Sequence, residues 1–174
     1  MKLPYKLILL FVFITSLSFA QKKTPKIPDT YFFQETLLKS LAENNESIYL
    51  NLAPTRNDMD MDTALKYFDE PKNVSAKGVD SMFMAIQEKA GDNFKSLQKF
   101  ASVNHIDWTM ISEDSISALP TKKFDKHFPS LRYSYYFTSL GEHYILSTSQ
   151  LILINNHWVL SNNVRLKKIS ETEE

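Results

Sequence analysis

Side chains able to do acid–base, nucleophilic or metal chemistry are sparse in this 174-residue chain. His105 and Asp107, beside Trp108, form a candidate acid–base pair, because an imidazole acting on a substrate needs a carboxylate to orient it. A hydrolase-type reaction is the chemistry they would serve. Residues two apart in a turn need not touch, however, and Ile106-Asp107-Trp108 reads equally well as a capped turn with a buried indole. Asp58, Asp60 and Asp62 alternate like the first three ligands of a calcium loop. Thr63 then stands where the sharp-turn glycine belongs, and Asp69 replaces the closing Glu. The triplet therefore carries two readings: a calcium-binding scaffold or adhesion module, or the acidic, solvated start of a helix.

Other chemistries are excluded by what is missing. The four histidines, His105, His127, His143 and His157, are nowhere three or four apart on a helix, so no local metal pair arises. Only Gly78, Gly91 and Gly141 are available, too few for a phosphate-cradling loop, a dinucleotide fingerprint or a Gly-flanked serine elbow. Ser96 and Lys99 have the serine–lysine spacing of penicillin-binding enzymes without the companion motifs. Cysteine is absent, which removes thiol catalysis, thiolate zinc, iron–sulfur clusters, covalent haem and a lipidated N-terminal Cys. No cofactor is expected.

The remaining candidate is a surface for binding. Tyr133, Tyr135 and Phe137 alternate along one strand pattern, and Trp158 follows in the next hairpin. A three-residue Gly141–His143 loop would set the three rings opposite Leu151, Ser149 and Ser147. Tyr133, Tyr135, Phe137, Ser147, Ser149 and Trp158 then share a face that either packs as plain core or lines a cavity whose hydroxyls orient an apolar ligand.

These residues need elements to hold them. Lys2 and Lys6, the apolar run Leu7–Ile14 and Ser18-Phe19-Ala20 have the layout of a cleaved signal peptide over 1–20. A flexible leader is expected over 21–28, a single domain over 29–169 and an acidic tail over 170–174. Two of the 20 basic residues lie in the signal, leaving 18 against 20 acidic ones, a balance that does not favour nucleic acid as a partner. A periplasmic or secreted location is expected, with no membrane anchor after cleavage.

Within the domain, Asp29 or Thr30 caps a helix reaching Asn44, with Phe33, Leu37 and Leu41 on one face. Ile48, Leu50 and Leu52 alternate as a short strand ending at Pro54, and a short helix follows Asp58–Asp62. Val79, Met82, Phe83, Ile86, Ala90, Phe94, Leu97 and Ala101 mark helix to about Asn104, either one long helix or two meeting at Gly91-Asp92. Thr109–Leu119 is β-like and closed by Pro120. Thr121–Ser130 is a basic, aromatic-bearing loop that offers a second binding surface. Leu131–Ile169 alternates as a β-meander, with Asn155-Asn156 as a two-residue turn setting Leu153 against Trp158 and Leu151 against Leu160.

Helices first and a meander last imply an α+β fold, N-terminal helices packed on one face of a curved antiparallel β-meander. The helix, Ile-Asp-Trp, sheet arrangement, Phe94–Trp108 and then Leu131–Trp158, resembles small exported proteins of unknown function from Gram-negative bacteria. It also resembles the nuclear-transport-factor-like and cystatin-like rolls. The expected function is an exported binding or accessory domain taking a small apolar ligand or an exported protein.

Overall fold

The computed structural model describes residues 29–70, 74–121 and 127–169. The signal, leader and acidic tail expected from the sequence, and Lys122, Lys123, Phe124 and Lys126 of the basic loop, lie outside these residues. Helices α1 (Tyr31–Ala42), α2 (Glu46–Leu50), α3 (Met61–Tyr67) and α4 (Ala76–Val103) precede strands β1 (Ser112–Pro120), β2 (Ser130–Ser139), β3 (Glu142–Ile154), β4 (His157–Leu160) and β5 (Val164–Lys168). The fold is α+β, with helices packed against a curved, open, antiparallel sheet of five strands.

Local chemistry sets the helix limits. Asn45 Oδ1 accepts from Ile48 N at 3.2 Å, Asp60 Oδ1 from Thr63 N at 2.7 Å and Ser75 Oγ from Gly78 N at 3.2 Å, each satisfying one orphan donor of a first turn. The Asn45 cap explains a correction. Ile48, Leu50 and Leu52 do not form a strand; Glu46–Leu50 is a helical turn and a half that buries Tyr49. A segment this short satisfies either period, and the cap decides it.

Three helices end alike. After α1, α3 and α4 the chain takes left-handed φ angles at Asn44 (47°), Asp69 (54°) and His105 (55°). In each case the following N–H reaches back five residues, as Ile106 N does to Ala101 O at 2.9 Å. Glycine is the usual occupant of that position, and this chain uses Asn, Asp and His, the other residues that tolerate it.

Helix α4 runs unbroken through Gly91, so the choice between one helix and two resolves to one. Gly91 is there because α2 comes close: a Cβ on it would sit 2.5 Å from Glu46 Oε1. Glu46 also pairs with Lys95 at 3.8 Å.

The strands run as a meander, β1-β2-β3, after which β4 and β5 follow one another along the far edge of β3. The Asn155-Asn156 turn has both residues at positive φ (48° and 64°) and pairs Leu153 with Trp158 and Leu151 with Leu160, as the sequence predicts. The preceding turn differs from expectation. It is a two-residue Leu140-Gly141 turn (φ 52° and 82°), pairing Ser139 with Glu142, not a three-residue loop. Phe137 therefore faces Tyr144 and Tyr135 faces Leu146. A register shift between Leu131 and Tyr133 then restores phase, so that Leu131 faces Leu151. Across the far edge Leu146 faces Leu166 and Thr148 faces Val164.

One core lies between the helices and the sheet. Phe33, Leu37 and Leu41 of α1 and Phe94, Leu97 and Ala101 of α4 meet Tyr133, Phe137, Leu146, Leu151 and Leu160. A second cluster lies across the β3–β4 hairpin, where Ile152, Ile154 and Val159 pack with Leu65 of α3 and Val79 and Phe83 of α4. Adjacent strand residues point to opposite faces, so the end of β3 is buried on both sides.

Candidate ligand groove

The aromatic residues singled out in the sequence do come together. Phe33 meets Tyr133 edge-on at 5.2 Å, Tyr135 and Phe137 stack at 5.8 Å, and Trp108 approaches Phe137 at 5.6 Å. Trp158 belongs to the same core. Ser147 and Ser149 do not join them. The two-residue turn puts Tyr144, Leu146 and Thr148 on the ring side and leaves Ser147 on the outer face, opposite Ser134. Ser149 is exposed and accepts from Asn162 Nδ2 at 3.2 Å. A cavity of aromatic rings and serine hydroxyls is therefore not built.

What the structure offers instead is a groove of about 410 Å³ above Tyr135, between α1 and the connection from α4 to β1. Tyr31, Leu38 and Ala42 of α1 form one wall, and Trp108 and Ile111 form the other. The rim is polar: Gln34 Nε2 donates to Glu113 Oε2 across it at 3.0 Å, with Glu35 and Lys39 alongside. Burial first, then the nearby carboxylates of Glu113 and Asp114, pushes the Tyr135 hydroxyl above its ordinary pKa, so it remains a neutral donor. Tyr31 is 63% exposed at the mouth.

One unmet hydrogen-bonding group borders this groove. Among the described residues, the buried side-chain polar atoms without a partner are Trp108 Nε1, Tyr133 Oη and Ser139 Oγ. Trp108 lines the groove and Tyr133 packs beneath α1. Native interiors leave few such groups, and a partner for each comes from a bound water or a ligand where the protein supplies none. A smaller cavity of about 200 Å³, beside α4 and the β4–β5 connection, is different in kind. Its buried polar groups are all paired: Asn93 accepts from Tyr49 Oη and Val164 N and donates to Val164 O.

The catalytic pair is not assembled. His105 is exposed and holds the left-handed position that ends α4, while the Asp107 carboxylate accepts from Thr109 N at 3.0 Å and Thr109 Oγ1 at 2.7 Å. Those two bonds lower the pKa of Asp107 below the usual carboxylate range. The aspartate triplet is likewise divided among local tasks. Asp58 closes a 3-10 turn by accepting from Thr55 N and Oγ1, Asp60 caps α3 and Asp62 is exposed in its first turn. Among the described residues no group of three His, Asp or Glu side chains is placed to hold a metal ion.

A carboxylate, hydroxyl and imidazole cluster that sequence reading missed lies where β1 meets the β2–β3 hairpin. Thr138 Oγ1 is 2.9 Å from both Asp114 Oδ2 and His143 Nδ1, and His143 Nδ1 is 3.4 Å from Asp114 Oδ2. Hydroxyl and carboxylate both address the same ring nitrogen, which is a clasp holding the irregular Glu113–Ser115 step of β1 rather than a relay. Positions 114, 138 and 143 are linked only by pairing, and no sequence spacing announces them.

No family model matches the chain, and no curated protein matches it. A solved structure described as a PatG domain of unknown function is similar over 75% of this chain, with 11% identity and a TM-score of 0.31. The chain spans 43% of that one's length, and a likeness this slight carries no argument about fold or site. Among the described residues no helix is long and apolar enough to cross a membrane.

Proposed function

We propose that this protein is an exported binding domain, and that the groove between α1 and Trp108–Ile111 takes an apolar or aromatic group carried by a small ligand or by an exported protein. The observation that carries the reading is the groove's make-up: about 410 Å³ with an aromatic floor and wall and a polar rim. Aromatic and aliphatic walls joined by polar groups that can fix orientation are a common form of ligand site. The signal-like residues 1–20 support export to the periplasm or the medium. Helices followed by a curved antiparallel sheet support kinship with nuclear-transport-factor-like or cystatin-like rolls.

The dye 1-anilinonaphthalene-8-sulfonate, an aromatic amphiphile, tests the site. Its emission should rise with the purified protein and saturate. Ala42→Phe, at an exposed helix position on the groove wall, should abolish the rise while leaving circular dichroism unchanged. Met84→Glu, beside a separate apolar surface cavity near Arg56 and Asp80, should leave it intact. Equal dye binding by wild type and Ala42→Phe would sink the groove as the site.

A further inference from the structure

The free edge of β1 has no partner among the described residues. β1 pairs with β2 on one side only. Thr121 N donates to Ser130 O at 2.9 Å, and these residues stand directly opposite in the continued register. Narrow and wide pairs alternate in an antiparallel ladder. Ser115, Ser117 and Leu119 therefore turn their backbone groups toward β2, while the N–H and C=O of Ile116 and Ala118 point outward.

Edges of this kind are normally blunted by charge, proline or a bulge. Here the irregular Glu113–Ser115 step and Pro120 blunt the two ends, and the stretch between, Ser115-Ile116-Ser117-Ala118-Leu119, carries no charge. Ile116 is 42% exposed and Leu119 is 57% exposed.

We infer that the edge is completed by a second copy of this chain, β1 against β1 in antiparallel register about a twofold axis at Ser117. That register sets Ile116 opposite Ala118 of the partner subunit and makes two reciprocal pairs of main-chain hydrogen bonds. Register and length fit this occupant, because the unblunted stretch is centred on Ser117 and a second copy covers it end to end without a charge clash. Ser115 falls opposite Leu119 and Ser117 opposite its own copy. The acidic residues Glu113 and Asp114 lie at opposite ends of the joint, so no carboxylate faces another. Pro120, which has no N–H to offer, falls opposite Asp114, where the strand is already irregular. The two sheets then form one continuous surface, closed at the junction by paired main-chain groups.

The inference is independent of the groove. Light scattering behind size exclusion should give the purified protein twice its chain mass, and hydrogen exchange at the Ile116 amide should slow as concentration rises. Ala118→Pro removes an outward N–H and no β1–β2 bond, so it should give a folded monomer that still binds the dye. Ile116→Lys should do the same by placing like charges close to the joint. A wild-type protein that stays monomeric at 100 µM, whether or not a synthetic strand peptide occupies the edge, overturns the inference. So does an Ala118→Pro variant that remains dimeric.

Discussion

Asn93 and Val164 are joined by two hydrogen bonds that imitate one rung of a β-ladder. The Asn93 side-chain amide accepts from Val164 N at 2.8 Å and donates to Val164 O at 2.9 Å. A helix thus caps the edge strand β5 with a side chain in the role of a backbone. Tyr49 Oη adds a third bond, donating to Asn93 Oδ1 at 2.6 Å, and ties α2 to the same point.

Removing that amide strands several buried polar groups together. Asn93→Ala should cost about 2–4 kcal/mol, since each buried group left unpaired costs about 1–3 kcal/mol and relaxation recovers part of it. Urea denaturation measures the loss. Tyr49→Phe removes only one partner and should cost about 1 kcal/mol. Equal losses from the two variants would contradict the ladder-like role of the amide.

Leu140 stands at a position that suits Asn or Gly. It is the first residue of the β2–β3 turn, with φ of 52°, and its side chain is 72% exposed. The left-handed conformation costs an ordinary side chain about 1–2 kcal/mol, and Asn-Gly is the favoured sequence for this turn. Leu140→Asn should raise stability by about 0.5–1 kcal/mol, a rise of roughly 2–4 °C in melting temperature for a domain of this size. A fall in melting temperature would mean that Leu140 contributes packing that its exposure conceals.

The register itself can be read out by two neighbouring substitutions. Leu146 is fully buried against the helices, whereas Ser147 is half-buried on the opposite face. Leu146→Ala should cost about 2–5 kcal/mol, and Ser147→Val should change stability by no more than about 0.5 kcal/mol. The register expected from a three-residue loop requires the reverse order, so a destabilising Ser147→Val paired with a mild Leu146→Ala would reinstate it.

Acid should weaken the start of α3. The bonds from Thr63, side chain first and then backbone, hold the Asp60 carboxyl below its usual pKa. A depressed folded-state pKa contributes stability above the unfolded value, about 3.9, and that contribution disappears as pH falls through the folded value. In Asp60→Asn the oxygen cap survives without the titration. Its melting temperature should drop less than the wild type's between about pH 5 and pH 2, with the two curves converging at the acid end. Identical slopes would show that the cap does not couple to protonation.

How far the sequence revealed this molecule depends on the element. α4 was legible because eight apolar positions from Val79 to Ala101 keep one period within a 28-residue helix, and the Asn155-Asn156 turn because its residues suit positive φ. The β2–β3 register was not, since a Leu in the left-handed region gives no warning. Burial along β3 runs Tyr144, Leu146, Thr148 and then Leu151 and Ile152 together, a change of phase that the continuous apolar run Leu151–Ile154 hides in the sequence. Such a change of phase within one strand marks an irregularity in pairing. Tyr133, Tyr135 and Phe137 share a face as expected, because rings alternating on β2 do so whatever their partner. The side on which Ser147 and Ser149 fall depended on that partner, and the two-residue turn turns Ser147 away from the rings. The groove needed α1 and Trp108 brought together from residues far apart, which no local pattern reports.

The burial of β3 on both faces bears on the order in which the chain can assemble. β3 borders β2 along one side and β4 and β5 along the other, with a layer of side chains above it and, at its far end, another below. Contacts between distant segments cost loop-closure entropy before they repay it, and β3 is where most of those contacts converge, so the sheet and both core layers close only when it is in place. It is the element on which the separately capped helices converge. β1 borders it only through β2, and α1 packs on it with one face while the other face lines the groove. The groove and the free edge both lie at this periphery, away from the strand that every layer shares.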